Sequence, residues 1–300
     1  MKKAHIFSGQ GSQYIGMDIP YNNYSTYCDK YFKIANEVLG YNIYEIIKNG
    51  PIEKLNDTIH TQPAIFIIST IAHNIYIDQS NSSTNCYAGH SLGEITALHC
   101  AQVLTFEESL TLIQIRAKSM KEAGKKEPGG MIAIIKASKK EINTVANETL
   151  LAVANLNSPK QTILSGKIDS INHALTFCKE LKIKALKLPV SGAFHSPLMS
   201  YASDALLKTI NQLYFRDAIM PIYQNYSALP TQDKNLIKDN LIKQLTSPVR
   251  WEETINNMVK DKILSLIEFG PKSVLTNLNR SINSNLNCLS AEELLKNEQI

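Results

Sequence analysis

Residues 87–96 read Tyr-Ala-Gly-His-Ser-Leu-Gly-Glu-Ile-Thr, which sets Ser91 between Gly89 and Gly93 in the spacing G-x-S-x-G. Chemistry at such a serine needs a sharp strand-to-helix turn. Neighbouring backbone approaches closely there, and glycine is the residue without a Cβ to clash. The run "NCYAG" before Ser91 reads as a short strand. "LGEITALHCAQ" after it, with Leu92, Ile95 and Leu98 three apart, reads as a helix. Ser91 would then sit at a helix N-terminus, where unpaired N–H groups carry partial positive charge. The N–H of Leu92 is a natural donor to a developing oxyanion. The plainer reading is a serine that only caps the helix; the flanking strand and helix favour the nucleophile.

A serine nucleophile needs a base. His90 is adjacent, but consecutive residues at a turn point apart. His195, in "VSGAFHSPLM", follows a strand pattern and lies among small residues, which makes it the better candidate. His5 reads as a core or sheet residue, and His60, His73, His99 and His173 have no partner motif. No third member is evident. Asp169 and Glu180 lie between Ser91 and His195, but both fall in an apparent insert. An HGGG-type oxyanion loop is also missing, which counts against an ordinary esterase.

The elements that must position these residues are as follows. Residues 3–8 read as a buried strand entering a glycine loop at Gly9 and Gly11. Residues 25–39, 64–78 and 107–123 read as helices, the last carrying Arg116. A breaker cluster at 124–130, "GKKEPGG", marks a boundary. After it come strand 131–135, helix 138–150, strands 151–157 and 161–167, helix 168–181 and strand 184–190. That β-α-β-β-α-β order is the ferredoxin-like arrangement. The remainder returns to helices, with a late strand at 264–270. The expected division is a large α/β subdomain over 1–126 and 197–300, with a small ferredoxin-like subdomain over 127–196.

The 300 residues are 44% hydrophobic and 19% charged, enough for a sizeable core. No run approaches a membrane span, and the N-terminus lacks the apolar stretch of a signal peptide, so the expected location is cytoplasmic. A net charge of +4 without basic runs points away from nucleic acid. The five cysteines form no C-x-x-C pair and read as free thiols, and the histidine spacing suggests no metal.

Eight segments occur in an order that resembles malonyl-CoA:acyl-carrier-protein transacylases and the acyltransferase domains of polyketide synthases, free-standing ones included. They are "FSGQGSQYIGM" (7–17), "TQPAIF" (61–66), "GHSLGE" (89–94), "IRAKSM" (115–120), "ANLNSPKQTILSG" (154–166), "GAFHS" (192–196), "QLTSPVRW" (244–251) and "EFGPKSVLT" (268–276). The resemblance covers nearly the whole chain. It implies an α/β-hydrolase-like large subdomain with a parallel sheet and the inserted ferredoxin-like subdomain. It also implies ping-pong chemistry: Ser91 takes the acyl group from malonyl-CoA, with His195 as base, and passes it to the pantetheine thiol of an acyl carrier protein. The backbone carbonyl of Gln244 would orient His195, and the N–H groups of Gln10 and Leu92 would form the oxyanion hole. Arg116 would bind the malonyl carboxylate, with Gln62 as a second contact; on residues alone, Arg116 reads as a surface arginine of an amphipathic helix. Phe194, in a malonyl-type "GAFH", would crowd an added methyl group. The resemblance implies no cofactor.

This chain departs from the family pattern at Ser8 (often Pro), Asp18 (a small residue) and Lys272 (often Gly). It reads as free-standing, and nothing in it demands more than a monomer. Fatty acid and polyketide synthesis both remain open as its setting. Two other readings compete: a hydrolase of the same fold that clears stalled acyl groups from carrier proteins, and a non-catalytic docking module. A hydrolase of neutral acyl chains would not need Arg116.

Overall fold

The computed structural model describes residues 2–80, 83–190 and 192–296. The strands are β1 (Lys2–Phe7), β2 (Cys86–Gly89), β3 (Gly129–Ile135), β4 (Ala152–Ser158), β5 (Gln161–Lys167), β6 (Lys184–Lys187), β7 (Ile222–Tyr223), β8 (Pro230–Thr231), β9 (Ile263–Phe269) and β10 (Asn287–Ser290). Six of them make one sheet in the order β10-β9-β1-β2-β7-β8. Every pairing in it is parallel except β7 with β8. Strand β1 is buried on both faces, as parallel strands are. Phe7 points to the larger core, against His73 of the helix Thr58–Ser80, while Ala4 and Ile6 point to a second core around Trp251.

The other four strands form an antiparallel sheet in the order β4-β5-β3-β6. Helices Lys139–Thr149 and Ile168–Glu180 pack on it over a separate core. This is the ferredoxin-like arrangement, joined to an α/β-hydrolase-like parallel sheet. The two are tied by backbone pairing. Val249, just before the helix Trp251–Lys260, donates to Ala154 O and accepts from Leu156 N, both at 2.9 Å.

Several expected bounds shift. The helix expected at 64–78 begins at Thr58 and carries Pro63 inside it. The Ile59 carbonyl, which Pro63 cannot reach with an N–H, instead accepts from Tyr41 Oη at 3.2 Å. The helix carrying Arg116 runs to Lys126, into the breaker cluster. Strand β6 stops at Lys187, because Pro189 has no N–H and Val190 N turns back to Leu188 O. At the family departure Ser8, the backbone N–H donates to Phe269 O at 3.2 Å, a bond proline could not make. Lys272 adopts a left-handed φ of 62°, which glycine would take without strain, and nothing in the structure explains the lysine.

Candidate active site

The turn at Ser91 is built by steric exclusion. A Cβ on Gly89 would fall on the Gly93 carbonyl group, and one on Gly93 would fall on the Phe7 carbonyl of β1. Helix Leu92–Cys100 can therefore pack against β2 and β1 only with glycine at both positions. Ser91 itself holds φ 53° and ψ −102°, a conformation that costs a side-chain-bearing residue about 1–3 kcal/mol. It caps the helix with no side-chain hydrogen bond, so capping does not account for its presence.

Its hydroxyl goes elsewhere. Ser91 Oγ lies 2.7 Å from His195 Nε2. The other ring nitrogen, Nδ1, lies 2.9 Å from the Gln244 backbone carbonyl. A carbonyl only accepts, so Nδ1 carries the proton and Nε2 presents its lone pair to the serine O–H. That is the tautomer a general base needs, and no carboxylate is required to set it. His195 is 4% exposed, and burial followed by the charge of Arg116 pushes its pKa down to about 3. Burial therefore favours the neutral ring. His90 turns away, with Nε2 2.8 Å from Asn157 Oδ1.

Arg116 corrects the surface reading. It is 1% exposed and reaches Ser91. Nη2 donates to Ser91 Oγ at 2.9 Å and to Gln244 Oε1 at 3.1 Å, while Nη1 donates to Gln62 Oε1 at 2.6 Å. All three acceptors are neutral, and Nε has no partner among the described residues. Burial lowers the guanidinium to about 10, with the charge of Glu94 opposing, so it remains a cation. Gln62 passes the contact on. Its Nε2 donates to Thr58 Oγ1 at 3.0 Å, which donates to Gln10 Oε1 at 2.9 Å. The glycine loop is thereby tied to the arginine. A cleft of about 390 Å³ opens over these groups; Gln10, Leu92 and Phe194 line it together with Met131 and Asn157 of the small subdomain.

Comparison with known proteins gives the family. The family described as "Acyl transferase domain" matches residues 4–295. The chain belongs to that family. Among relatives, the malonyl CoA-acyl carrier protein transacylase of Haemophilus influenzae is 34% identical, covering 98% of this chain and 96% of its own. That of Bacillus subtilis strain 168 is 35% identical, over 97% and 94%. An acyl carrier protein S-malonyltransferase from Vibrio cholerae superposes with a TM-score of 0.91 at 36% identity, covering 97% of this chain and 96% of that one. A type II polyketide synthase acyl carrier protein in complex with its malonyl-transacylase matches with a TM-score of 0.93 at 31% identity, over 99% and 100%.

Two side chains of this acyltransferase escaped the sequence reading. Asn225 Oδ1 accepts from Ser91 N at 2.7 Å, and its Nδ2 donates to Gly89 O at 2.7 Å. Glu94 is fully buried and accepts from Asn225 N at 2.7 Å and Gln224 Nε2 at 3.2 Å. Burial raises its pKa, against those hydrogen bonds and the charge of Arg116. Glu94 lies in the quoted motif, three residues after the serine, so its place at the first helical turn was readable. Asn225 follows a two-residue strand and carried no signal.

Proposed function

We propose that the protein is a malonyl-CoA:acyl-carrier-protein S-malonyltransferase that works through an acyl-serine. Ser91 Oγ attacks the thioester carbonyl while His195 Nε2 takes its proton. The tetrahedral oxyanion binds the N–H groups of Leu92 and Gln10. Collapse breaks the C–S bond, and His195 returns the proton to the departing CoA sulfur. The phosphopantetheine thiol of the carrier protein then gives its proton to His195 and attacks the acyl-serine, and collapse returns the proton to Ser91. The observation that carries the reading is Arg116, a buried guanidinium whose hydrogen bonds all go to neutral oxygens, 2.9 Å from the nucleophile. The malonyl carboxylate stands two carbons from the carbonyl under attack and would supply the missing anion.

The protein groups suffice for this chemistry, and malonyl-CoA enters as substrate. We place the enzyme in the cytoplasm as a monomer serving fatty acid or polyketide synthesis. Among the described residues no helix is long and apolar enough to cross a membrane, in keeping with that placement.

The test is intact mass after incubation with malonyl-CoA, acetyl-CoA or methylmalonyl-CoA, without carrier protein, for wild type and Arg116→Ala. A malonyl adduct on Ser91 that the variant loses or exchanges for acetyl supports the transferase. Steady CoA release with no adduct would favour the hydrolase, and neither adduct nor release would leave a docking module.

A further inference from the structure

Ser91 stands where two secondary-structure elements end. Gly89 is the last residue of β2, so its carbonyl has run out of strand to pair with, and Ser91 N precedes the first helical turn. On the neighbouring strand, β7 ends at Tyr223, after pairing Tyr87 with Ile222 and Ala88 with Tyr223. The main-chain ladder therefore stops one residue short of the elbow. Asn225, two residues beyond β7, continues it with its side chain. A carboxamide carries one acceptor and one donor side by side, as a peptide group does. Oδ1 takes the Ser91 N–H and Nδ2 gives to the Gly89 carbonyl, both at 2.7 Å. Both contacts are inaccessible to solvent on the Asn225 side, since the residue is 1% exposed.

The carboxamide is itself fixed. Asn225 N donates to Glu94 Oε2 at 2.7 Å, and Glu94 rises from the first turn of the helix that Ser91 starts. The same carboxylate accepts from Gln224 Nε2, and Gln224 Oε1 accepts from Asn240 Nδ2 at 2.8 Å. The chain of contacts closes a loop from the helix, through Asn225, back to the residue before the helix.

We propose that Asn225 is a positioning residue that holds the nucleophile elbow in its left-handed conformation, with Glu94 orienting its main chain. It touches neither Ser91 Oγ nor His195; it acts by fixing the backbone from which Oγ projects. The inference rests on the reading of Ser91 as the acylated residue. Asn225→Asp keeps the size and the acceptor but replaces the donor to Gly89 O by a second oxygen, and Asn225→Ala removes both bonds.

The experiment is pre-steady-state acylation of full-length wild type, Asn225→Asp and Asn225→Ala by malonyl-CoA, with active sites counted by burst amplitude and folding checked by thermal melting. In parallel, a fluorophosphonate, which needs Ser91 but not Arg116, is used to label the same samples. The expected result is an acylation rate per active site lowered on the order of 10²-fold in both variants, with KM changed little and phosphonylation slowed in step. A lower melting temperature with an unchanged rate per active site would make Asn225 a structural residue and overturn the proposal, as would unchanged rates in a stable variant. Phosphonylation that slows while no form, wild type included, takes up malonyl would uphold the positioning role and reject the malonyl reading.

Discussion

Arg116 Nη2 donates to Ser91 Oγ at 2.9 Å, so the residue proposed to bind the malonyl carboxylate also touches the proposed nucleophile. In the free enzyme the serine hydroxyl gives its proton toward His195 and accepts from the guanidinium. Once acylated, Oγ becomes an ester oxygen and a poorer acceptor, while the malonyl carboxylate offers a charged one. Arg116→Ala is expected to lower kcat/KM for malonyl-CoA by about 10²–10³-fold, the cost of stranding a charge in a buried site. Acetyl-CoA, which lacks the carboxylate, should gain relative to malonyl-CoA. Competition between the two donors, read by intact mass, checks this; an unchanged malonyl preference would contradict it.

Gln244 meets the site through two different groups. Its backbone carbonyl sets the His195 tautomer, while its carboxamide accepts from Arg116 and donates to Ser91 O at 3.1 Å. Substitution cannot remove the carbonyl. Gln244→Ala should therefore keep a working base and lose only the carboxamide contacts, about 1–2 kcal/mol or about tenfold in kcat/KM. Loss of all activity in a folded variant, measured by the same acylation assay, would show that the side chain itself sets His195.

These two residues show what the sequence could and could not disclose. The Ser91 turn was legible because G-x-S-x-G encodes a steric demand, and Gly89 and Gly93 meet it directly. Arg116 was legible too, had the apolar stripe been followed: Leu112, Ile113 and Met120 lie three or four residues from it, and all are buried. The Gln244 carbonyl is invisible to side-chain reading, because any residue would supply one. Strands β7, β8 and β10 span two to four residues, too short for a period-two pattern. Asn225 depends on the end of β7, so it was hidden with it.

Acid should destabilise the fold before carboxylate titration begins in earnest. Burial lowers His5 and His195 to about 3 and holds His73 well below its ordinary value, with His5 Nδ1 3.1 Å from His73 Nε2. Their unfolded-state value lies near 6.5. Between the two the unfolded chain binds more protons, so stability is full above pH 6.5 and falls as pH drops below it. Glu268, raised by burial to about 7, works in the opposite sense between pH 7 and its unfolded value. His60, His90 and His99 are lowered as well, and Asp18 and Glu94 are raised with Glu268, so six histidines stand against three carboxyls and the balance is a loss of stability below pH 6.5. Urea unfolding at pH 7.5, 6.5 and 5.5 measures it; equal stabilities at 6.5 and 5.5 would refute it.

Gly93→Ala tests the packing of the elbow rather than its chemistry. The added methyl would meet the backbone of Phe7, the last residue of the central strand β1, and of Ser8 just beyond it, which cannot withdraw. A loss of more than about 3 kcal/mol is expected, with insoluble protein as the extreme outcome. A melting temperature within a few degrees of wild type would mean that helix Leu92–Cys100 can slide on β1.

Phe194 is expected to meet the carbon next to the thioester. The ring is 7% exposed and lines the cleft one residue before the base. An added methyl on the malonyl group needs room that the ring would occupy, and one methyl is worth about 1–3 kcal/mol in discrimination. Phe194→Ala should raise methylmalonyl-CoA relative to malonyl-CoA by about 10–100-fold, chiefly by admitting the first rather than excluding the second. Rates for the two donors measured separately distinguish those cases. A fall in both rates with an unchanged ratio would assign Phe194 to supporting the His195 loop and leave α-carbon selection to another part of the cleft.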